Sequence, residues 1–186
     1  MSVRQLYKNT MKNRLEPGER LLILIRHAQA GDPETFLRDT GRPDRERPLT
    51  AEGIDRNRAA AGRLGRILNR VDHVWSSPYV RARQTAEGVA AVFGCPLEAF
   101  EDLVPPWDRE RLAAWLEPRL RIGESAVLVG HEPDLSGLLG HWLCATHAVP
   151  VPMEKGSVCA LRCRGAIKPG SVELLWKLPQ SVLRKL

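Results

Sequence analysis

Two stretches of the chain are apolar without a break, Leu21-Leu22-Ile23-Leu24-Ile25 and Ala126-Val127-Leu128-Val129. Runs this short, rich in aliphatic residues, have the pattern of strands buried on both faces of a sheet. Each stops abruptly at polar residues, the first at Arg26-His27-Ala28 and the second at Gly130-His131-Glu132-Pro133. Val71 to Ser76 predicts a third strand that ends at Ser77-Pro78, and Pro96 to Phe100 a fourth. Val158 to Arg162 and Val172 to Trp176 predict two more, paired as a hairpin near an edge.

Between these runs the apolar period lengthens to that of a helix. Thr50 is placed as the N-cap of a helix reaching about Leu68, with Glu52 suited to the positive end of its dipole. Ile54, Ala61, Leu64 and Leu68 form its expected buried face. A second helix runs from about 79 to 93, opens after Pro78 and carries Arg81, Gln84 and Thr85 near its start. Arg109 to Leu120, with the stripe Leu112, Trp115, Leu116 and Leu120, predicts a third, and Asp134 caps a fourth that reaches Leu143. Gly31 to Arg47, with Pro33, Gly41, Pro43 and alternating charges, reads as a long loop, and its part from Arg38 onward as a solvated one. The alternation of strands and helices implies α/β architecture: a three-layer α/β/α sandwich around a mostly parallel sheet, one domain over residues 21–186 behind a leader at 1–20.

Composition narrows the class. The 186 residues are 43% hydrophobic and 27% charged, the make-up of an ordinary globular domain. No stretch approaches the ~18 apolar residues of a membrane span, and no signal-peptide core is present near the start, so a cytoplasmic location is expected. Of the net charge of +6, half sits in residues 1–20, where five cations face two carboxylates. With aromatic residues at 5%, little is available for base stacking, which argues against nucleic acid as a partner. Cys95, Cys144, Cys159 and Cys163 lie in apolar surroundings and read as reduced core thiols. The last two share one face of a strand and lack a second ligand pair, so no metal is assigned to them. His73, His141 and His147 are expected at the surface or the core edge, and Trp107, Trp115, Trp142 and Trp176 in packing.

The strand exits carry the chemistry. In open α/β sheets ligands sit beyond the carboxyl ends of the strands, and neighbouring strands are only about 5 Å apart. Arg26, His27, Arg81 and His131 can therefore meet although His27 and His131 are 104 positions apart. Two guanidiniums match the oxygens of a phosphoryl group, and helix N-termini after Ser77 and Glu132 would add backbone N–H groups. Arginines beside His27 disfavour its imidazolium, which leaves a neutral ring able to attack phosphorus. Nothing in such a scheme requires a metal. Ser77 and Thr50 are assigned to helix caps and left outside the chemistry.

Arg26-His27-Ala28, Arg47-Pro48-Leu49-Thr50 with Gly53, Ser77-Pro78-Tyr79-Val80-Arg81-Ala82-Arg83-Gln84-Thr85 and Val129-Gly130-His131-Glu132-Pro133 together resemble the motifs of the histidine phosphatase superfamily in order and spacing. The resemblance is closest to its small SixA-like phosphohistidine phosphatases, and it extends from Leu21 through Lys155-Gly156-Ser157 to Trp176-Lys177-Leu178-Pro179. It implies a phosphoglycerate mutase-like fold and a cofactor-independent enzyme. It also implies that His27 is transiently phosphorylated while Arg26, Arg81 and His131 bind the phosphoryl group. Larger members place a carboxylate acid after the second motif. Here the candidates are Glu87, Glu101, Asp102 and Asp108, none within a matching motif, and SixA-like members are similar in lacking one. A phosphoramidate expels imidazole, a better leaving group than an alkoxide, so it needs less proton donation.

The sequence therefore points to a metal-independent phosphatase acting on phosphohistidine in a protein, a phosphotransfer domain or a phosphocarrier, in signal transduction. Arg38 to Arg47 is then a candidate docking surface for that partner. Two alternatives stay open: a phosphatase for small phosphate esters, which needs one of the four carboxylates as acid, and a phosphate-binding or phosphoprotein-binding module without turnover. No membrane partner is expected, and the sequence sets no oligomeric state.

Overall fold

A computed structural model of the chain describes residues 15–144 and 151–186. Residues 1–14 of the leader and His147 lie outside the described residues. Among the described residues, six strands form one sheet in the order β3-β2-β4-β1-β5-β6. They are β1 (Glu19–Arg26), β2 (His73–Ser76), β3 (Leu97–Ala99), β4 (Ser125–Gly130), β5 (Val158–Arg164) and β6 (Val172–Leu178). β1, β2, β3 and β4 run parallel, β5 pairs antiparallel with both β1 and β6, and β6 closes the edge as the expected hairpin partner.

The unbroken apolar run of β1 is explained by what covers it. Leu21, Ile23 and Ile25 enter one core with Ala60 and Leu64 of α2 (Ala51–Ile67) and Ala86 and Val89 of α3 (Val80–Phe93). Leu22 and Leu24 point the other way, toward Leu112 and Leu116 of α4 (Arg109–Leu116) and Leu138 and Trp142 of α5 (Asp134–Cys144). With both faces sealed from water by helices, the central run Leu21 to Ile25 is apolar at every position. The result is the three-layer α/β/α sandwich. α6 (Gln180–Leu183) ends the chain against the first core through Leu183.

Several local expectations are corrected. β1 begins at Glu19, inside the supposed leader, because Glu19 is buried between Arg162 and Arg164 while Arg20 pairs with Glu117 at 3.0 Å. The segment from Gly31 to Arg47 is not one loop: it holds α1 (Pro33–Thr40) and a 3-10 turn at Asp44–Glu46. α1 has a side-chain cap in Asp32, proline in its first turn and Gly41 in the left-handed conformation at its end, but none of its residues is buried, so it leaves no apolar stripe to read. In α2 the residue Ile54 is exposed, and the buried face is Gly53, Asn57, Ala60, Ala61 and Leu64. α4 stops at Leu116, although Leu120 is still buried. Cys144 is exposed and Cys95 half-buried, whereas Cys159 and Cys163 are core thiols whose burial pushes them up to about 12. No helix among the described residues is long and apolar enough to cross a membrane.

Candidate functional site

The exits of β1, β4 and β2 lie side by side because those strands are neighbours in the sheet. The backbone confirms the register: His27 N donates to the Gly130 carbonyl at 3.0 Å and Ser77 N to the Val129 carbonyl at 3.0 Å. Two glycines permit the approach of flanking elements. A Cβ on Gly53, in the first turn of α2, would stand 2.0 Å from the Gln29 carbonyl oxygen, and one on Gly130 would stand 2.3 Å from the Trp107 ring. Thr50 caps α2 as expected, accepting from Gly53 N at 3.0 Å.

One cavity of about 550 Å³ opens over these exits, and Arg26, His27, Arg47, Arg81, His131 and Lys155 all line it. The four residues singled out by sequence thus come together. The His27 ring is oriented from both sides. Its Nδ1 lies 2.8 Å from the Ala28 carbonyl, an oxygen that can only accept, so Nδ1 carries the proton. Its Nε2 is then a lone pair, and Arg81 Nε donates to it at 3.3 Å. Burial, with help from Arg81, Arg26 and Arg47, holds the His27 pKa down to about 3 against the opposing hydrogen bond to Ala28. The ring is neutral at physiological pH and presents one unprotonated, nucleophilic nitrogen beside the Arg81 guanidinium.

His131 sits with its ring centroid 5.2 Å from that of His27 and packs edge-on against Tyr79 at 4.9 Å. Burial, then the neighbouring His27 and Arg81, brings its pKa to about 3 as well. Its Nε2 is 2.9 Å from Ser77 Oγ. That contact corrects the assignment of Ser77: α3 has Tyr79 at its N-cap position with no side-chain cap, and the serine hydroxyl faces the site instead. Asp134 is likewise no simple cap, since its carboxylate accepts from Trp107 N at 2.8 Å and thereby fixes the residue lying under Gly130.

The guanidiniums are held by specific acceptors. Arg26 donates to the Met153 carbonyl at 2.8 Å, while its Nε is buried without a hydrogen-bond partner among the described residues. Arg81 is buried on α3 and donates to the Asp44 carbonyl at 2.9 Å, with its other terminal nitrogen 3.0 Å from the Asp44 carboxylate. The same carboxylate accepts from Arg47 Nε at 2.7 Å, and Arg47 also reaches the Gly31 carbonyl. Arg47 is buried, so the solvated-loop reading fails at its last residue. The burial of Arg47, the bridging Asp44 and the cavity-facing Lys155 were all missed as site features. Arg47 and Lys155 each open a segment within the family resemblance, Arg47-Pro48-Leu49-Thr50 and Lys155-Gly156-Ser157, whereas nothing in the sequence marks Asp44.

The carboxylates are engaged elsewhere. Glu87 pairs with Arg83 at 3.0 Å, Asp102 with Arg111 at 2.6 Å, and Asp108 caps α4 through Arg111 N at 2.9 Å. Glu101 borders a separate groove with Arg45, Tyr79 and Val104. Of the carboxylates that do line the cavity, Glu132 accepts from Met153 N at 2.6 Å and Ser136 N at 3.3 Å, and Asp32 caps α1. Among the described residues no three His, Cys, Asp or Glu side chains gather as a metal-ligand set. What the arrangement offers is an anion site: three arginines, one lysine and two neutral imidazoles around a lone pair.

Known proteins resemble this chain in sequence and fold. The model of the histidine phosphatase superfamily (branch 1) matches residues 22–104. The chain is 33% identical to the phosphohistidine phosphatase SixA of Escherichia coli over 110 residues, covering 58% of this chain and 68% of that protein. It is 37% identical to an uncharacterized protein of Picosynechococcus over 147 residues, covering 73% and 86%. A solved structure of the protein histidine phosphatase SixA complexed with tungstate superposes with a TM-score of 0.71 at 25% identity, covering 87% of this chain and 97% of that one. The likeness runs through sequence and fold alike: the chain belongs to the histidine phosphatase superfamily, and it is a phosphatase.

Proposed function

We propose that this phosphatase removes the phosphoryl group from a phosphohistidine carried by a protein, a phosphotransfer domain or a phosphocarrier, through a transient phosphohistidine on His27. The observation that carries the reading is the His27 ring, neutral and buried, with its proton tied to the Ala28 carbonyl and its Nε2 lone pair in an arginine-lined cavity. In the first step Nε2 bonds to phosphorus as the P–N bond of the substrate breaks, and the departing imidazole leaves neutral if its other nitrogen bears a proton. The phosphorylated His27 ring keeps its Nδ1–H and is cationic, which the Ala28 carbonyl stabilises and which makes the ring a good leaving group. Water then attacks phosphorus, and phosphate departs with the Nε2 lone pair restored. Arg26, Arg81 and His131 bind the equatorial oxygens, joined by Arg47. The charge balance is met by side chains, so the scheme calls for no metal.

The choice of phosphohistidine over an ester is supported by the carboxylates. Those lining the cavity are committed to backbone N–H groups, Glu87, Asp102 and Asp108 are held by ion pairs or a helix cap, and Glu101 lies outside the cavity lining, so no uncommitted acid lines it to protonate an alkoxide. The similarity to proteins named as phosphohistidine phosphatases agrees with this choice. The test is a steady-state comparison of a histidine-phosphorylated carrier protein with aryl and sugar phosphates, chelator present throughout. A preference of about 100-fold or more in kcat/KM for the phosphohistidine is expected. Faster turnover of the esters, or loss of rate with chelator, would overturn the assignment.

A further inference from the structure

Ser77 lies at the exit of β2 and is fully buried. Its Oγ accepts from Tyr79 N at 3.3 Å and lies 2.9 Å from His131 Nε2. The hydroxyl also owns one proton, and among the described residues the lone pair of that Nε2 is the acceptor within reach. A buried hydroxyl that failed to donate would be left unsatisfied, a rare and costly state. Nε2 is therefore unprotonated, and a neutral imidazole that accepts at Nε2 carries its proton on Nδ1. That Nδ1 is itself buried and, among the described residues, has no hydrogen-bond partner, on a residue that lines the cavity.

We propose that Ser77 is a positioning residue: by donating to His131 Nε2 it fixes the second histidine as the Nδ1–H tautomer, whose N–H then donates to an oxygen of the phosphoryl group. The assignment rests on reading the cavity as a phosphoryl site. It makes the two rings complementary. His27 has its N–H tied to the Ala28 carbonyl and turns its Nε2 lone pair toward the Arg81 guanidinium in the cavity, whereas His131 has its lone pair tied up by Ser77 and its N–H without a partner among the described residues. Without the hydroxyl, His131 can shift its proton to Nε2 and turn a lone pair toward anionic oxygens, a repulsive contact. The Nδ1–H remains a hydrogen-bond donor and not an acid, because losing it would leave an imidazolate.

Long-range proton–nitrogen NMR correlations of the histidine side chains at neutral pH show which ring nitrogen is protonated. In the unmodified protein His131 is expected to be protonated on Nδ1, and that proton's resonance to move when inorganic phosphate is added. In Ser77→Ala a mixture with the Nε2–H form is expected, the inhibition constant for phosphate rises about 10-fold, kcat/KM falls about 10- to 100-fold, and the His27 tautomer is unchanged. A mere packing role for Ser77 would leave the tautomer in place. Finding Nε2–H on His131 in the unmodified protein overturns the proposal whether or not the variant folds, as does an unaltered tautomer with unaltered phosphate inhibition in the variant. Should the tautomer and the phosphate response appear while phosphohistidine is not turned over, the substrate reading fails and the role of Ser77 stands.

Discussion

Asp44 holds Arg81 twice, once through its backbone carbonyl at 2.9 Å and once through its carboxylate at 3.0 Å, and the same carboxylate grips Arg47. Burial would raise the Asp44 carboxyl pKa, but Arg47 and Arg81 outweigh it and keep the group ionised well below neutral pH. One exposed acid thus sets the aim of two cavity-lining guanidiniums and relieves their mutual repulsion.

Replacing Asp44 with Ala should therefore raise KM for a phosphoryl substrate and lower kcat/KM about 10- to 100-fold, the worth of one to two charge-assisted hydrogen bonds. Asp44→Asn, which can still accept one bond, should fall between. Kinetics on both variants check this, with melting temperatures expected to shift by only a few degrees because the side chain is nearly half exposed.

His27→Ala is expected to lose roughly 10³-fold or more in turnover. It should also lose any acid-labile, base-stable phosphoenzyme in rapid-quench labelling. Residual labelling at another residue in this variant would remove His27 from the covalent step.

Two neutral buried histidines give the protein an acid sensitivity of definite sign. His27 and His131 titrate near 6.5 when unfolded and near 3 when folded, so below about pH 6.5 the unfolded chain takes up protons that the folded chain refuses. Stability from these rings is complete above pH 6.5 and drains away as pH falls toward 3, by up to about 1.4 kcal/mol per pH unit for each ring. Urea unfolding between pH 7 and 4.5 should show this slope, and His27→Asn should flatten it by about one proton. Over the same range the nucleophile stays unprotonated, so its titration should put no acid limb near 6.5 into the pH profile of kcat/KM.

Gly53→Ala places a methyl carbon 2.0 Å from the Gln29 carbonyl, a contact that backbone must yield to relieve. Overpacking of this kind costs about 1–3 kcal/mol. Thermal unfolding should register a fall of several degrees. Activity should drop as well, because Gln29 lines the cavity.

The sheet and Arg26, His27 and His131 were legible because burial on both faces leaves a strong signal, and Arg81 was legible through its place in the Ser77 to Thr85 motif. The runs from Leu21 and from Ala126 stay apolar until they emerge, and the first charged or histidine residues after each line the cavity. The supporting groups were not legible for the same reason in reverse. α1 buries nothing, so its period is silent, and the Asp44 and Arg47 that follow look like any exposed charges until Asp44 is seen bridging Arg47 and Arg81. Glu19 and Arg20 read as a leader because their ion pairs come from residues some 100 to 145 positions away. Ser77 followed by Pro78 has the look of a cap, and only the position of β4 beside β2 turns its hydroxyl toward His131.

Thr85 joins the two halves of the cavity: its hydroxyl accepts from Ala28 N at 3.0 Å and donates to the Arg81 carbonyl at 2.7 Å, while Asn57 of α2 holds its own carbonyl at 3.1 Å. The segment after His27 and the helix bearing Arg81 therefore cannot separate without breaking buried hydrogen bonds inside the first core. Local opening of the cavity becomes nearly as costly as opening the whole layer, so the site inherits the cooperativity of the domain. Heated slowly, the protein should lose activity and helical circular dichroism in a single shared transition, with no inactive but folded stage between.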